Sequence, residues 1–341
     1  MQSLVLWRST SVKDGEAIPR AAFPLPQVLI LSERQSRARV AASRGDLGMN
    51  GIWAWGLDVI RAVQGIGSPW LTELMKGITF LGSGGFFFIA LPLVYWSVDR
   101  KRGERLALVF LFSIFVNLWL KNLLGQPRPF EFVPALALVK EVGHGLPSGH
   151  SQASVVFWGL MATLIARPWG MVLAVTLPLL VGFSRIYLGV HFPTDVFAGW
   201  AIGALFIVAD RLAAERFEKL LAFLGGRWRL ISLAFVALIM NAFYRSDVAM
   251  SGAFLGAGLG FAWTDDKAAF SVSGSFVTRA ARLLLGLALA VIVYFLFKLI
   301  SPQPGAELYS LARFIRFGMV GFTISFVAPW VFLKTKLCAP A

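Results

Sequence analysis

The 341-residue chain has 57% hydrophobic and 15% charged residues and a mean hydropathy of +0.71. This composition excludes a water-soluble globular domain and indicates a polytopic membrane protein. The formal net charge is +14, but the basic residues are spread over short loops between apolar segments. They indicate membrane topology and contacts with anionic headgroups, and nucleic acid is not a predicted partner. Cys338 is the only cysteine, so the chain has no internal disulfide and no thiolate metal site.

Residues 1–48 differ in kind from the rest, because they are polar and basic with one short apolar patch at 26–31. That patch is too short to span a membrane, and no small-residue cleavage pattern follows it, so no signal peptide is predicted. Two interpretations stay open. The leader is a disordered extension, or translation begins at Met49 and the leader is not part of the protein.

Aromatic and charged residues alternate in residues 51–75, a segment that breaks at Gly65-x-Gly67-Ser68-Pro69. This pattern predicts interfacial helices that lie against the bilayer, with one short span as the alternative. Nine uncharged apolar windows follow and predict an all-α integral membrane protein. The windows are 78–98, 106–120, 151–166, 168–184, 196–209, 230–244, 248–264, 283–297 and 317–333.

The basic residues are distributed unequally between the two sides of the membrane. If the nine windows alternate in direction, the basic residues from Arg100 onward divide into fifteen on one side and eight on the other. The basic residues before residue 78 join the second side unless residues 51–75 add a span. Cytoplasmic loops are enriched in Lys and Arg, so the richer side is predicted to be cytoplasmic. The other side faces outward and holds Lys121, Arg128 and Arg185.

Three polar clusters interrupt the apolar pattern at predicted outward ends of the windows. They are Lys121-x6-Arg128-Pro129, Pro147-Ser148-Gly149-His150 and Ser184-Arg185-x5-His191-x3-Asp195. Placing ionisable groups at the membrane costs free energy, so the clusters predict a functional site. Three cations and the N-terminus of the helix that follows the second cluster suit a phosphate group. No Asp-x-Asp pattern that would hold magnesium lies nearby, and no cofactor is predicted.

Asp195 follows His191 by four residues, within reach of a shared turn. A hydrogen bond from Asp195 to one ring nitrogen would leave the other nitrogen free and basic. A nucleophilic histidine needs this arrangement.

Together the three clusters resemble the signature of the type 2 phosphatidic acid phosphatase superfamily, K-x6-RP, PSGH and SR-x5-H-x3-D, over about residues 49–214. The resemblance implies a six-helix phosphatase core at 49–216 that removes phosphate from a lipid phosphate or diphosphate. It also implies that His191 attacks phosphorus to give a phosphohistidine and that Asp195 orients His191. His150 would protonate the leaving oxygen and then activate water.

The remaining signature residues would form the phosphate cradle. They are Lys121, Arg128, Ser148, Gly149 and Arg185. The role of Ser184 stays open. His144, which lies outside the signature, is interpreted as a solvated bystander.

Residues 217–341 lie outside the resemblance and are predicted to add about four transmembrane helices of unassigned role. Gly252, Gly256 and Gly260 form a stripe of small residues that lets helices pack closely, either within the bundle or between two subunits of a homo-oligomer. The Asp265-Asp266-Lys267 sequence is interpreted as a solvated cytoplasmic turn.

The sequence therefore predicts a multi-pass phosphatase of a bacterial inner membrane, with its active site facing the periplasm and a lipid phosphate as substrate. Two alternatives remain. One is a lipid phosphotransferase that uses the same phosphohistidine, and the other is a non-catalytic protein that binds or translocates lipid phosphates. Binding alone needs cations but no base, so His150, His191 and Asp195 together favour an enzyme.

Overall fold

The chain folds into a bundle of α-helices, and the computed structural model describes residues 51–165, 167–224, 226–245 and 247–341. The leader lies outside these residues, so both of its interpretations stay predictions. The helices are α1 (Gly51–Gly65), α2 (Pro69–Phe80), α3 (Gly84–Ser97), α4 (Arg100–Leu124), α5 (Pro129–Phe132), α6 (Gly149–Ile165), α7 (Pro168–Tyr187), α8 (Pro193–Leu224), α9 (Gly226–Phe243), α10 (Ala249–Lys267), α11 (Phe276–Leu299), α12 (Tyr309–Phe322) and α13 (Ala328–Lys334). A short π-helix, Thr323–Val327, joins α12 to α13.

The predicted all-helical class is confirmed. The window 78–98 is divided between α2 and α3, and each of the other windows overlaps one helix or the run from α12 to α13. Within the described residues, six helical segments are long and apolar enough to cross a membrane. The pair α2 and α3, bent by 45°, makes a seventh if it is one span. Length and composition thus support fewer than nine spans. Helix α6 has only 17 residues, and α10 contains four glycines and two aspartates, which lower its hydropathy.

Residues 51–75 form α1 and the first part of α2, and α1 braces the loops that lead to the site. Leu57 and Ile60 of α1 are buried, and Gly56 lies so close to the Phe192 ring that a Cβ atom would clash with it. The Gln64 side chain at the end of α1 donates hydrogen bonds to the carbonyls of Leu136 (2.9 Å) and Tyr187 (2.8 Å). Helix α1 therefore fixes both neighbouring chain segments in place.

An aromatic cluster joins α3, α4 and α6 in the core. The Phe87 ring lies 4.6 Å from that of Phe110 and 5.3 Å from that of Phe157, measured between centroids. All three side chains are buried. Each such burial contributes about 1.5–3 kcal/mol, so this cluster fixes α4 and α6, the two helices that present the first two polar clusters.

The glycine stripe of α10 packs against α12 of the same chain. A Cβ atom at Gly256 would lie 1.9 Å from the Gly318 carbonyl oxygen, and one at Gly252 would lie 2.3 Å from that of Phe314. All three stripe glycines are buried. The stripe therefore serves close packing within the bundle, the first of the two predicted alternatives, and a homo-oligomer stays a prediction.

Asp265 is not part of a solvated turn, which corrects the interpretation from sequence. It lies in α10, and its carboxylate accepts hydrogen bonds from Arg100 (2.6 Å), Lys101 (2.6 Å) and Arg229 (2.9 Å). Arg229 also forms an ion pair with Glu104. This network joins α4 to α9 and α10 at the predicted cytoplasmic ends of these helices.

Candidate active site

The three polar clusters converge on one cavity of about 890 Å³, although they lie on separate loops and helix ends. The signature residues that line it are Lys121, Arg128, Gly149, His150, Arg185 and His191. Ser148 and Asp195 are completely buried and are not among the lining residues. The structure thus brings together the chain segments that the sequence predicts to form one site.

Lys121 reaches the site from the last turn of α4, which ends at Leu124 and is capped by Gly125. Gly125 has a φ of 58°, a left-handed conformation that glycine adopts at little cost. The Lys121 ammonium donates hydrogen bonds to the carbonyls of His144 (2.6 Å) and Gly145 (2.9 Å). His144 is exposed and also lines the cavity, and its carbonyl helps to anchor the loop before α6.

Arg128 directly precedes α5 and is buried. Its guanidinium donates to the carbonyls of Val142 (3.0 Å), Gly143 (2.6 Å) and Val190 (2.9 Å). One of its terminal nitrogens also lies 3.2 Å from Nε2 of His191. Arg128 therefore fixes the loop that precedes α6 and places a permanent positive charge against the imidazole.

The second cluster begins α6 and is tied to the third. The backbone N–H of Ser148 donates to the carbonyl of Asp195 (2.9 Å), and the Ser148 hydroxyl accepts a hydrogen bond from the Ser151 hydroxyl (2.9 Å). The Ser148 side chain thus supports the helix start from behind the cavity wall. Gly149 is on the wall, where a Cβ atom would lie 3.0 Å from Oδ1 of Asn117.

Arg185 lies in the last turn of α7 and forms an ion pair with Glu141. Its other terminal nitrogen donates to the Thr79 hydroxyl (2.9 Å), and its Nε atom is buried without a partner among the described residues. Sequence reasoning missed Glu141. A signal was available, because Glu141 is the only acidic residue between Glu131 and Asp195 and lies among the signature cations.

His191 and Asp195 form the predicted hydrogen-bonded pair. Nδ1 of His191 lies 3.1 Å from Oδ2 of Asp195, and the same oxygen accepts the backbone N–H of Phe192 (3.0 Å). Oδ1 of Asp195 accepts a hydrogen bond from the Gln126 side chain (2.7 Å), a contact that sequence reasoning also missed. Both carboxylate oxygens are therefore held by donors, and the carboxylate has a fixed orientation.

The neighbours of His191 define its tautomer. An arginine N–H can only donate, so Nε2 of His191, which faces Arg128, must carry the lone pair. The proton then lies on Nδ1 and points to Asp195. Burial lowers the pKa of His191 well below its ordinary value of 6.5, and the surrounding cations, Arg185 first, lower it further. At neutral pH the imidazole is uncharged, and its Nε2 carries the lone pair that a nucleophile needs.

His150 and Ser184, the remaining residues of the second and third clusters, have different surroundings. His150 lies in the first turn of α6 and lines the cavity, and its ring makes no hydrogen bond with any other described residue. It is therefore free to exchange protons with a ligand. The Ser184 hydroxyl is buried and donates to the carbonyl of Val181 (2.7 Å), one turn earlier in α7, which is a structural contact. Among the described residues, no group of three or more His, Cys, Asp and Glu side chains is placed to hold a metal ion.

The fold and the site define an all-helical membrane phosphatase. The PAP2 superfamily matches residues 104–219, and the PAP2 superfamily phosphatase transmembrane extension matches residues 248–340. The chain belongs to the PAP2 superfamily. The second match accounts for most of the C-terminal region that the sequence left unassigned.

Three relatives illustrate the extent of the similarity. Phosphatidylglycerophosphatase B of Bacillus subtilis is 32% identical over 174 residues, which cover 47% of this chain and 84% of the relative. Undecaprenyl-diphosphatase of Sulfolobus acidocaldarius is 34% identical over 134 residues, 37% of this chain and 64% of the relative. Sphingosine-1-phosphate phosphatase 1 of Mus musculus is 24% identical over 305 residues, 74% of this chain and 70% of the relative.

Proposed function

We propose that this protein hydrolyses the phosphate group of a membrane lipid phosphate or diphosphate through a phosphohistidine on His191, without a metal ion. The observation that carries the proposal is the position of the His191 ring between Asp195 and Arg128. This position directs the Nε2 lone pair toward the cations of the cavity. The names of the relatives, which specify phosphatidylglycerophosphate, undecaprenyl diphosphate and sphingosine-1-phosphate, support a lipid substrate.

In the first step, Nε2 of His191 attacks phosphorus, and the bond from phosphorus to the leaving oxygen breaks. Burial and the nearby cations lower the pKa of His150 in the protein without substrate, and the negative charge of a bound phosphate offsets these cations, so that His150 takes up a proton on substrate binding. His150 gives this proton to the leaving oxygen, and the lipid alcohol or lipid phosphate leaves in its protonated form. Asp195 accepts the hydrogen bond from Nδ1 and stabilises the positive charge that develops on the imidazole. The products of this step are the phosphohistidine and a neutral His150.

In the second step, His150 takes a proton from a water molecule, whose oxygen attacks the phosphohistidine. The bond between nitrogen and phosphorus breaks, and inorganic phosphate leaves. His191 returns to its neutral form, and His150 regains the proton that it needs for the next turnover. The same residue thus acts as acid and as base.

Three side chains supply the positive charge that phosphoryl transfer requires. Lys121, Arg128 and Arg185 all line the cavity, and the start of α6 adds its backbone N–H groups. Charge on the equatorial oxygens grows in the transition state, so fixed cations stabilise it more than the ground state. Gly149 lines the cavity at this helix start, and its missing side chain makes room for Asn117.

We place the site at the periplasmic face of a bacterial inner membrane. The support is the distribution of the basic residues from Arg100 onward: if the apolar windows alternate in direction, fifteen of them fall on the opposite side and eight on the side of the site. At this face, a lipid headgroup enters the cavity while its hydrocarbon chain stays in an apolar environment.

The test is phosphate release by the purified protein in detergent with EDTA present. The substrates are phosphatidate, phosphatidylglycerol phosphate, undecaprenyl diphosphate and sphingosine-1-phosphate, and His191→Ala is the comparison. Release that survives EDTA and disappears in the variant is expected. Transfer of phosphate to a second lipid without free phosphate would identify a phosphotransferase. Binding of lipid without any turnover would overturn the enzymatic proposal.

A further inference from the structure

The cavity that contains the site continues as an apolar chamber deep into the bundle. Its polar end is formed by the signature residues, and most of the remaining wall is hydrocarbon or aromatic. The wall comes from α3 and α4 on one side and from α10, α11 and α12 on the other. The transmembrane extension therefore builds about half of a chamber that opens directly onto the proposed nucleophile.

The chamber runs parallel to the helices for about the depth of one membrane leaflet. On α4, its lining residues recur at three- and four-residue intervals from Ala107 to Lys121, which places them on one face. On α10 they extend from Met250 to Phe261. At 1.5 Å per residue these stretches are about 21 Å and about 16 Å long. A leaflet occupies about half of the roughly 30 Å hydrocarbon core.

The end of the chamber opposite the site has a rigid floor. The Tyr95 and Phe261 rings are packed edge to face there, with centroids 4.8 Å apart. The Tyr95 hydroxyl donates to the carbonyl of Ser325 in the π-helix (2.8 Å), and the Thr264 hydroxyl donates to the same oxygen (2.6 Å). The π-helix thus leaves a carbonyl free to hold the floor, and the floor sets a maximum depth.

The chamber also opens toward the side of the bundle. Phe88 of α3 and Val291 and Phe295 of α11 line the chamber but keep 36%, 40% and 58% of their surface exposed. At the other end of these helices, Gly286 packs directly against the Trp96 ring. Helices α3 and α11 therefore meet near the floor, whereas the lining side chains closer to the site are exposed at the side of the bundle. A chain can enter from the lipid phase between them.

We propose that this chamber binds a single hydrocarbon chain of the substrate while the phosphate lies against His191. The inference rests on the proposed function, because the occupant is the chain of the same lipid phosphate. Three observations carry it: the chamber is continuous with the phosphate site, it is apolar over a leaflet's depth, and it ends at the Tyr95–Phe261 floor. The transmembrane extension thus limits the length of the hydrocarbon chain that the chamber accepts.

The experiment compares kcat/KM for a series of monoalkyl phosphates of increasing chain length. In the wild type, each methylene that the chamber buries raises kcat/KM by about fourfold until the chain reaches the floor. Ala257→Leu narrows the chamber above the floor and lowers the ratio of long-chain to short-chain kcat/KM at least tenfold. Phe261→Ala removes half of the floor and shifts the optimum to longer chains. Ala288→Leu, on an exposed position of α11, is the matched control and keeps the wild-type profile.

The outcomes separate this inference from the proposed function. If the wild type releases phosphate but both Ala257→Leu and Phe261→Ala keep its chain-length profile, the chamber proposal is overturned and the proposed function stands. A second measurement does not depend on turnover: a monoalkyl phosphate with a photoreactive terminal group is crosslinked to the protein. Adducts in α10 or in the π-helix are expected. Adducts confined to the outer surfaces of α7 and α8 would overturn the proposal even if no lipid is hydrolysed.

Discussion

Glu141 forms an ion pair with Arg185 inside the cavity, where the arginine side chain is 2% exposed and the glutamate side chain is 26% exposed. In the proposed mechanism, Arg185 binds the substrate phosphate. The carboxylate of Glu141 therefore engages the group that an incoming anion needs, and the anion must displace it. A competing internal anion weakens binding by the free energy of the contact that is broken.

The Glu141→Gln substitution is predicted to strengthen phosphate binding. The neutral amide competes less well for Arg185, so we expect the inhibition constant of inorganic phosphate to fall by about 3- to 10-fold, which corresponds to roughly 0.7–1.4 kcal/mol. The measurement is inhibition of phosphate release by added inorganic phosphate. Glu73→Gln, an exposed position on α2, is the control. Unchanged or weaker inhibition in Glu141→Gln would show that Glu141 supports the site instead of competing for it.

Asp195→Asn is predicted to reduce kcat much more than it reduces phosphate binding. The carboxylate receives three donors, from His191, Phe192 and Gln126, and an amide has only one acceptor oxygen for them. The tautomer of His191 is then no longer fixed. In the serine protease triad, the equivalent change costs about 10⁴-fold in kcat, and we expect roughly 10³- to 10⁴-fold here.

The measurement for Asp195→Asn is single-turnover formation of the phosphoenzyme, together with the inhibition constant of inorganic phosphate. We expect slow phosphoenzyme formation with an inhibition constant within a few-fold of the wild type. A fall in kcat of less than tenfold would mean that Asp195 does not orient the nucleophile.

The sequence predicted the class of fold and the composition of the site better than the way the site is held together. Apolar windows identify helices because burial in a bilayer demands long uncharged segments, and the spacing of His191 and Asp195 predicts their contact because one turn brings them together. The contacts of Glu141 and Gln126 were missed, because each depends on the path of a loop. Such paths follow from tertiary packing, which no local pattern encodes.

The glycine stripe shows a second limit of the sequence. The spacing of Gly252, Gly256 and Gly260 predicts a close helix contact, and the structure has one. The sequence does not say which helix makes that contact, because a partner in the same chain and a partner in a second copy need the same small residues. Only the position of α12 identifies the partner.

In a plot of kcat against pH, we predict that the loss of activity on the acid side (the acid limb) occurs only below pH 6.5. Burial and the nearby cations lower the pKa of His191, so the imidazole stays neutral and nucleophilic in mildly acidic solution. Lys121→Met removes one of these cations, and the limb should then move to higher pH. The measurement is kcat against pH with one substrate, so that titration of the substrate phosphate is common to both proteins. A limb that moves to lower pH in the variant would contradict this assignment.

The lowered pKa of His191 also affects the stability of the folded protein. The pKa of His191 in the folded state lies below the unfolded value of about 6.5, so the unfolded chain binds a proton that the folded chain excludes. The contribution of His191 to stability is therefore lost as the pH falls below 6.5.

Gly256→Ala is predicted to destabilise the bundle. The new methyl group would lie 1.9 Å from the Gly318 carbonyl oxygen, which belongs to the backbone of α12 and cannot move without the helix. Overpacking of this kind costs about 1–3 kcal/mol. Thermal unfolding in detergent measures it. The control is Gly77→Ala in α2, where a Cβ atom meets nothing within 4 Å and helix propensity favours alanine. Equal melting temperatures for the two variants would refute the close contact between α10 and α12.

The orientation in the membrane is testable with single cysteines, because Cys338 is the only native one. In a Cys338→Ala background, Val142→Cys places a thiol on the loop beside the site. Phe276→Cys places a thiol at the start of α11, at the end of the bundle opposite the site. Both positions are highly exposed, at 87% and 86%. The distribution of basic residues predicts that an impermeant maleimide labels residue 142 in intact bacterial spheroplasts and labels residue 276 only after permeabilisation. The reverse pattern would place the site on the cytoplasmic face, where its substrate would have to come from the inner leaflet.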